Sequence, residues 1–255
     1  MNMKTMLTTF CALVVMACAS QAAVIYQHTY ELGEPGTILT NRPQDSVITG
    51  TSHFGNGWGG AIGIGTTGVA APNSTAYGIF NGAGAYGANF TSLADNNFAV
   101  EMWVRTATPG QGNNEFFVTG NSGTRLAFSV VGGNWGANTG ANWIGGASGA
   151  GQAILADTWT HLAVIRDTGV STLYINGIAQ SGTQTALPDH NANGHIGVQS
   201  GGQASYVGDI DDVRMFTFDP ATDNAVAALN VPEPATMTLL ALGGIAMLRR
   251  RRNHA

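Results

Sequence analysis

The chain has 255 residues and a formal net charge of −5, with charged side chains at only 10% of the total. Its single lysine is Lys4, and apart from the four arginines near the C-terminus only Arg42, Arg105, Arg125, Arg166 and Arg214 are cationic. A surface without clustered Lys and Arg excludes nucleic acid and argues against anionic lipid as an electrostatic partner, since both demand concentrated positive charge.

The first 23 residues read as a secretory signal peptide. Lys4 gives a positive start, Met6 to Ala17 an apolar centre, and Ser20-Gln21-Ala22-Ala23 the small residues of a cleavage point. Val15-Met16-Ala17-Cys18 offers a minor second reading as a lipobox, with methionine atypical before the small residue. Both cysteines, Cys11 and Cys18, lie inside this segment, so the exported part is expected to carry no disulfide and to rely on burial and sheet pairing.

Residues 24–230 are expected to form one domain, a length that all-β sandwiches commonly fill with a single core. Val24 to Tyr30, β-branched and aromatic, predicts a first strand, which Glu34-Pro35-Gly36 ends. Thr40 to Pro72, rich in Gly, Asn and Pro, predicts loops and short edge pieces at Ser46 to Ile48 and Ala61 to Ile64. From Asn97 to Thr106, Val100, Met102 and Val104 alternate with Glu101, Trp103 and Arg105, the period of two of a strand whose faces see different surroundings. Further strands are expected at Glu115 to Thr119, Thr124 to Val131, Thr158 to Arg166, Ser171 to Asn176, Ile178 to Gln180, His195 to Gln199 and Tyr206 to Phe218. Asp167-Thr168-Gly169 predicts a turn, and Asn176-Gly177 a tight hairpin, because both residues tolerate positive φ. Asp219 as N-cap and Pro220 at the first helical position predict a short helix bringing Val226 and Leu229 onto the sheet.

Many short strands with Gly and Asn turns and no intervening helices mean a β-sandwich or barrel. The stretches Phe98 to Arg105, Trp159 to Arg166, Leu173 to Gly177, Ile196-Gly197 and Val207 to Arg214 resemble the laminin-G-like, concanavalin A-like jelly-roll family over roughly Asn97 to Leu229. The resemblance implies an antiparallel jelly-roll β-sandwich of two curved sheets, used for carbohydrate or protein recognition and sometimes holding calcium.

The tail, residues 231–255, has three ordered parts. They are the box Pro232, Glu233 and Pro234, an apolar stretch from Ala235 to Leu248, and the block Arg249, Arg250, Arg251 and Arg252. As a helix the apolar stretch is about 21 Å long against a hydrocarbon core of about 30 Å, a short transmembrane span. The arginines stay on the cytoplasmic side under the positive-inside rule. This order resembles the PEP-CTERM sorting signal of Gram-negative bacteria. That implies transient membrane anchoring, removal of the tail by an exosortase, and delivery to the cell surface or extracellular matrix. An anchor that is never cut explains the apolar run and the arginines but not the box.

Tryptophans in polar surroundings are the most suggestive candidates for binding. Asn134-Trp135 and Asn142-Trp143 recur inside a Gly-Ala-Asn stretch read as loop, and Trp58 sits in a similar piece. A tryptophan ring suits stacking on a pyranose, with asparagines bonding the hydroxyls, and the competing reading is that these rings cover the ends of the sandwich. Trp103 and Trp159, within strands, read as packing residues, and His161 as a hydrogen-bonded sheet histidine.

Asp209 and Asp211, two apart on a strand, face one way and are the candidate calcium ligands, calcium being the one cofactor considered. Asp95-Asn96-Asn97 and Asp189 to Asn193 are further oxygen-rich pieces, for which capping of turns is the competing role. Glycoside hydrolases of this fold carry Glu-x-Asp-x-x-Glu, whereas this chain has Gly208-Asp-Ile-Asp-Asp-Val-Arg214, so no catalytic residue is assigned and the expected protein is not an enzyme. The expectation is an exported module binding extracellular polysaccharide, surface glycan or protein. A polysaccharide-degrading enzyme and a self-associating matrix protein are the alternatives.

Overall fold

The computed structural model describes residues 23–28, 30, 46–48, 52–53, 63–65, 71–72, 74–81, 86–88, 96–112, 114–119, 125–140, 142–144, 152–185, 194–197 and 206–231. The expected signal peptide short of Ala23, Trp58, and the tail beyond Val231 lie outside them. The early strands are β1 (Ala23–His28), β2 (Ser46–Ile48), β3 (Ser52–His53), β4 (Gly63–Gly65), β5 (Tyr77–Asn81), β6 (Tyr86–Ala88), β7 (Phe98–Arg105) and β8 (Asn114–Thr119). They are followed by β9 (Leu126–Val131), β10 (Asn134–Thr139), β11 (Asn142–Ile144), β12 (Thr160–Asp167), β13 (Val170–Ile175), β14 (Ile178–Ala179), β15 (Gly194–Ile196) and β16 (Val207–Thr217).

These strands form two antiparallel sheets, the sandwich expected from the sequence. Sheet A has the order β14-β13-β12-β7-β16-β1-β2, with β5 also on β16 and β4 on β5; sheet B has the order β11-β10-β9-β8-β15-β6-β3. Along one side of β16, Val207 to Ile210 pair with β5 and Val213 to Thr217 with β1, while β7 follows the other side. The change of neighbour falls at a bulge between Asp211 and Arg214, where Asp212 takes a φ of 46°.

Val100, Met102 and Val104 of β7 meet Phe116, Phe117, Phe128 and Trp135 of sheet B in one core between the sheets. Glu101, Trp103 and Arg105 take the other face, as their alternation requires, together with His161, Asp209 and Asp211. Two glycines make room for tyrosines. A Cβ on Gly78 would come within 2.7 Å of the Tyr30 ring, and one on Gly208 would overlap the Arg105 carbonyl and the Tyr206 phenol. The buried Tyr206 hydroxyl donates to that same carbonyl at 2.9 Å.

The turns behave as their residues dictate. Thr168 and Gly169 have φ of 45° and 84° between β12 and β13, and Asn176 and Gly177 have 50° and 77° between β13 and β14. The stretch expected as loop around Trp135 and Trp143 differs: it holds β10 and β11. A Gly132-Gly133 turn with φ of 55° and 82° brings β10 back along β9, and six residue pairs then hold a segment of low strand propensity in the sheet.

The expected helix after β16 also differs. Residues 219–230 form two separate turns, with Asp223 N–H bonded to the Asp219 carbonyl at 2.7 Å and Ala228 N–H to the Asn224 carbonyl at 3.1 Å. Each turn starts at its own cap: Asp219 Oδ1 accepts from Ala221 N–H, and Asn224 Oδ1 from Ala227 N–H. Asp223 Oδ2 meanwhile takes the Asp219 N–H, so side chains compete with a continuous helical ladder. The result is a strap over the outer face of sheet A. Ala225 and Leu229 are buried against Ala99, Ala163, Ile165 and Phe216, while Val226 points outward at 43% exposure instead of onto the sheet.

Candidate functional site

Trp135 does not present a face for a ligand. It is 1% exposed, in the core of the sandwich, with its ring edge-on to Phe116 at 5.8 Å. Its place on β10, inward by alternation with Asn134 and Gly136, is the physical reason. Asn134 serves the Gly132-Gly133 turn, with Nδ2 3.3 Å from the Gly132 carbonyl and 3.4 Å from that of Val131. Asn142 is exposed and Trp143 half-buried, on β11 at the edge of sheet B. Register sets Trp143 opposite Asn138, and so on the sheet face turned away from the core.

That face carries a polar cluster. Glu115 on β8, Ser129 on β9 and Asn138 on β10 are brought side by side by the ladders between these strands. Arg125, at the entry of β9, bonds Glu115 Oε1 through both Nε, at 3.0 Å, and a terminal nitrogen. Asn138 Nδ2 lies 3.3 Å from Ser129 Oγ and 3.5 Å from Glu115 Oε1. Two acceptors are left over: Glu115 Oε2 and Asn138 Oδ1 are buried and accept no hydrogen bond among the described residues. A buried acceptor left unmet costs about 1–3 kcal/mol. The half-buried Trp143 ring on the same sheet face supplies an apolar stacking surface. Of these residues only Trp143 and Asn142 were anticipated. The available signal was charge: between Thr106 and Ala156 only Glu115 and Arg125 carry any.

The outer face of sheet A holds two further clusters. Glu101, fully buried, accepts from Arg214 at Oε1 and from the Asn230 backbone N–H at Oε2, 2.8 Å away, and pairs with His161 Nε2 at 2.9 Å. His161 is therefore a structural sheet histidine, edge-on to the buried Trp103. Farther along, the Arg105 guanidinium lies 5.0 Å from the Tyr77 ring centre and 4.8 Å from that of Trp159. Trp159 is half-buried at this surface, just ahead of β12 rather than within it.

Asp209 and Asp211 share this face but do not fit a calcium site. Asp209 Oδ2 is already held by Arg105, at 2.8 Å from Nε and 2.7 Å from a terminal nitrogen. Asp211 is buried, with Oδ1 accepting the Asp212 N–H at 2.8 Å. Among the described residues, no three His, Cys, Asp or Glu side chains gather as metal ligands. Burial raises the Asp209 pKa despite the opposing hydrogen bond and charge of Arg105. Burial also works against the charged form of Arg105, but Asp209 and Tyr77 outweigh it and raise that pKa. Two Arg105 nitrogens on one Asp209 oxygen, at 2.7 and 2.8 Å, make the contact an ion pair. Asp212, extra in the bulge, accepts from Asn230 Nδ2 at 3.3 Å. Asn97 Oδ1 accepts from Thr168 N–H at 2.8 Å, a turn role, while Asp95 and residues 189–193 lie outside the described residues.

Two layers of β-strand with a polar, tryptophan-bearing outer face define a jelly-roll binding-type domain. Residues 80–226, more than half of the chain, match the concanavalin A-like lectin/glucanases superfamily, of the laminin G group, and the chain belongs to that superfamily. Residues 230–252 match the PEP-CTERM protein-sorting motif. No curated protein matches the sequence. Among solved structures, the chain is similar to domain 4 of AbnA, a GH43 extracellular arabinanase from Geobacillus stearothermophilus, in complex with arabinotriose. The identity is 19% and the TM-score 0.52, over 81% of this chain and 98% of that one. It is also similar to Trypanosoma rangeli sialidase in complex with the inhibitor DANA, at 11% identity and TM-score 0.53, over 86% of this chain and 34% of the sialidase. At these identities the likeness is one of fold.

Proposed function

We propose that this protein is an exported, non-catalytic module that binds extracellular polysaccharide at the edge of sheet B, at Trp143 and Asn142, with the polar cluster of Asn138, Ser129, Glu115 and Arg125 holding the strands beneath. The observation that carries the reading is the half-buried Trp143 ring at the edge of sheet B, next to exposed Asn142 and opposite Asn138 of the polar cluster. A sugar ring face stacks on the half-buried indole, and the exposed Asn142 before it offers its amide to the hydroxyls. The arabinotriose bound to the AbnA domain is a precedent for a sugar on this fold.

A glycosidase needs two carboxyl groups flanking one bond. Among the described residues of β8 to β11, Glu115 is the sole carboxylate, and its Oε1 is held by Arg125; a single carboxylate on this face supports binding without cleavage. The sorting motif implies exosortase processing and passage through a membrane-anchored stage, and the reading places the released module among surface and matrix polysaccharides.

The test is retention of the purified protein on the producing organism's own extracellular polysaccharide, with the soluble fraction assayed for new reducing ends. Retention without new ends is expected. Trp143→Ala should weaken retention at least tenfold, corresponding to loss of about 1.4 kcal/mol, without moving the melting temperature appreciably. New reducing ends would make the protein an enzyme, and undiminished retention of the variant would remove this face as the site.

A further inference from the structure

The first residues of the sorting motif belong to the folded domain. Asn230 donates its backbone N–H to buried Glu101 and its Nδ2 to Asp212, 3.3 Å away, while Arg214 reaches the Ala228 carbonyl. Val231 packs on the cluster beneath the strap and comes within van der Waals reach of the space over Gly177, at the turn between β13 and β14. The strap is thus closed up to the residue before Pro232. It contributes no slack between domain and tail.

Chain length then limits how far the domain can stand from the membrane. Only Pro232, Glu233 and Pro234 separate Val231 from the apolar stretch that begins at Ala235. Four residue steps span at most about 14 Å, and about 12 Å in the extended form that Pro-rich segments favour. The polar layer on each side of a bilayer is about 5–8 Å deep. An apolar stretch shorter than the hydrocarbon core draws its flanks inward. Ile178 follows Gly177 at this exit, on the edge strand β14, and is 69% exposed, more than any other large apolar side chain among the described residues.

We propose that, during the anchored stage implied by the sorting motif, the rim formed by Asn176, Gly177 and Ile178 is a membrane-contact surface, with Ile178 seated in the lipid headgroup layer. The tether and the closed strap hold it there; charge attraction is not required, in keeping with the scarcity of cations in the domain. The inference rests on anchoring and is independent of glycan binding.

The test uses the full chain in a Cys11→Ser, Cys18→Ser background, inserted in vesicles of phosphatidylethanolamine and phosphatidylglycerol. A fluorophore is placed by Ile178→Cys or, at the opposite end of β13 about 17 Å away, by Val170→Cys. A lipid carrying a headgroup-level quencher should remove most of the fluorescence at 178 and little at 170. A long Gly-Ser spacer inserted after Val231 leaves the strap intact and should bring quenching at 178 down to the level at 170. Equal quenching at both positions, or quenching at 178 that survives the spacer, would overturn the proposal. Quenching or burial at 178 that appears only when the sorting enzyme is added would assign the rim to a protein partner instead.

Discussion

At the scale of single residues, the two tryptophans that look alike in the sequence part company. Both follow an asparagine, but strand alternation turns Trp135 into the core and leaves Trp143 on the opposite face, a distinction invisible until the region is known to be two strands. Trp135→Ala should therefore cost about 3–5 kcal/mol in a denaturant unfolding experiment, as large-to-small changes in a packed core do. Tyr206 makes a second claim testable at this scale. Burial, with the nearby charge of Asp209 adding to it and Arg105 opposing, holds its phenol well above the usual 10.0. The folded chain then keeps a proton that the unfolded chain has lost, so this contribution is whole below about pH 10 and declines as pH rises beyond it. Melting temperatures followed from neutral pH upward should fall more steeply for the native protein than for Tyr206→Phe. The variant should begin about 1 kcal/mol less stable, for want of its bond to the Arg105 carbonyl.

At the scale of elements, the strands readable in advance were those with strong alternation. β7 shows why: its apolar residues and its Glu-Trp-Arg series occupy opposite faces, and the sequence separates them residue by residue. β10 has no such pattern, because Gly, Ala, Asn and Thr dominate it and its strand character comes from pairing with β9, and the three residues of β11 are strand by pairing with β10. The strap after β16 was readable as to place and not as to form. Asp219 does cap the first turn, but Asp223 and Asn224 divert the backbone before a second turn can join it. Leu229 is the strap's largest buried apolar side chain, packed in one cluster with Ala99, Ala163, Ile165 and Phe216. Leu229→Ala should lower stability by about 2 kcal/mol and raise amide exchange over residues 225–231 before the rest of the molecule opens.

At the scale of the whole molecule, the chain joins a jelly-roll of the concanavalin A-like superfamily to a PEP-CTERM motif, and the two meet without a spacer at Asn230 and Val231. Fold class and sorting motif were both evident from residue order, since each depends on local runs of sequence. The polar cluster on sheet B was not, because Glu115, Ser129 and Asn138 lie on three strands and only the register between them makes a site. The absence of Asn138 and Glu115 from the sequence reading has the same cause: a buried unmet acceptor exists only once neighbours are fixed. The most direct test of the account is a calorimetric titration of the secreted protein with fragments of its producer's polysaccharide, run beside Trp143→Ala. The account predicts saturable binding by the native protein and loss of at least tenfold in affinity for the variant. Binding that is equal in both, or absent from both, would contradict it.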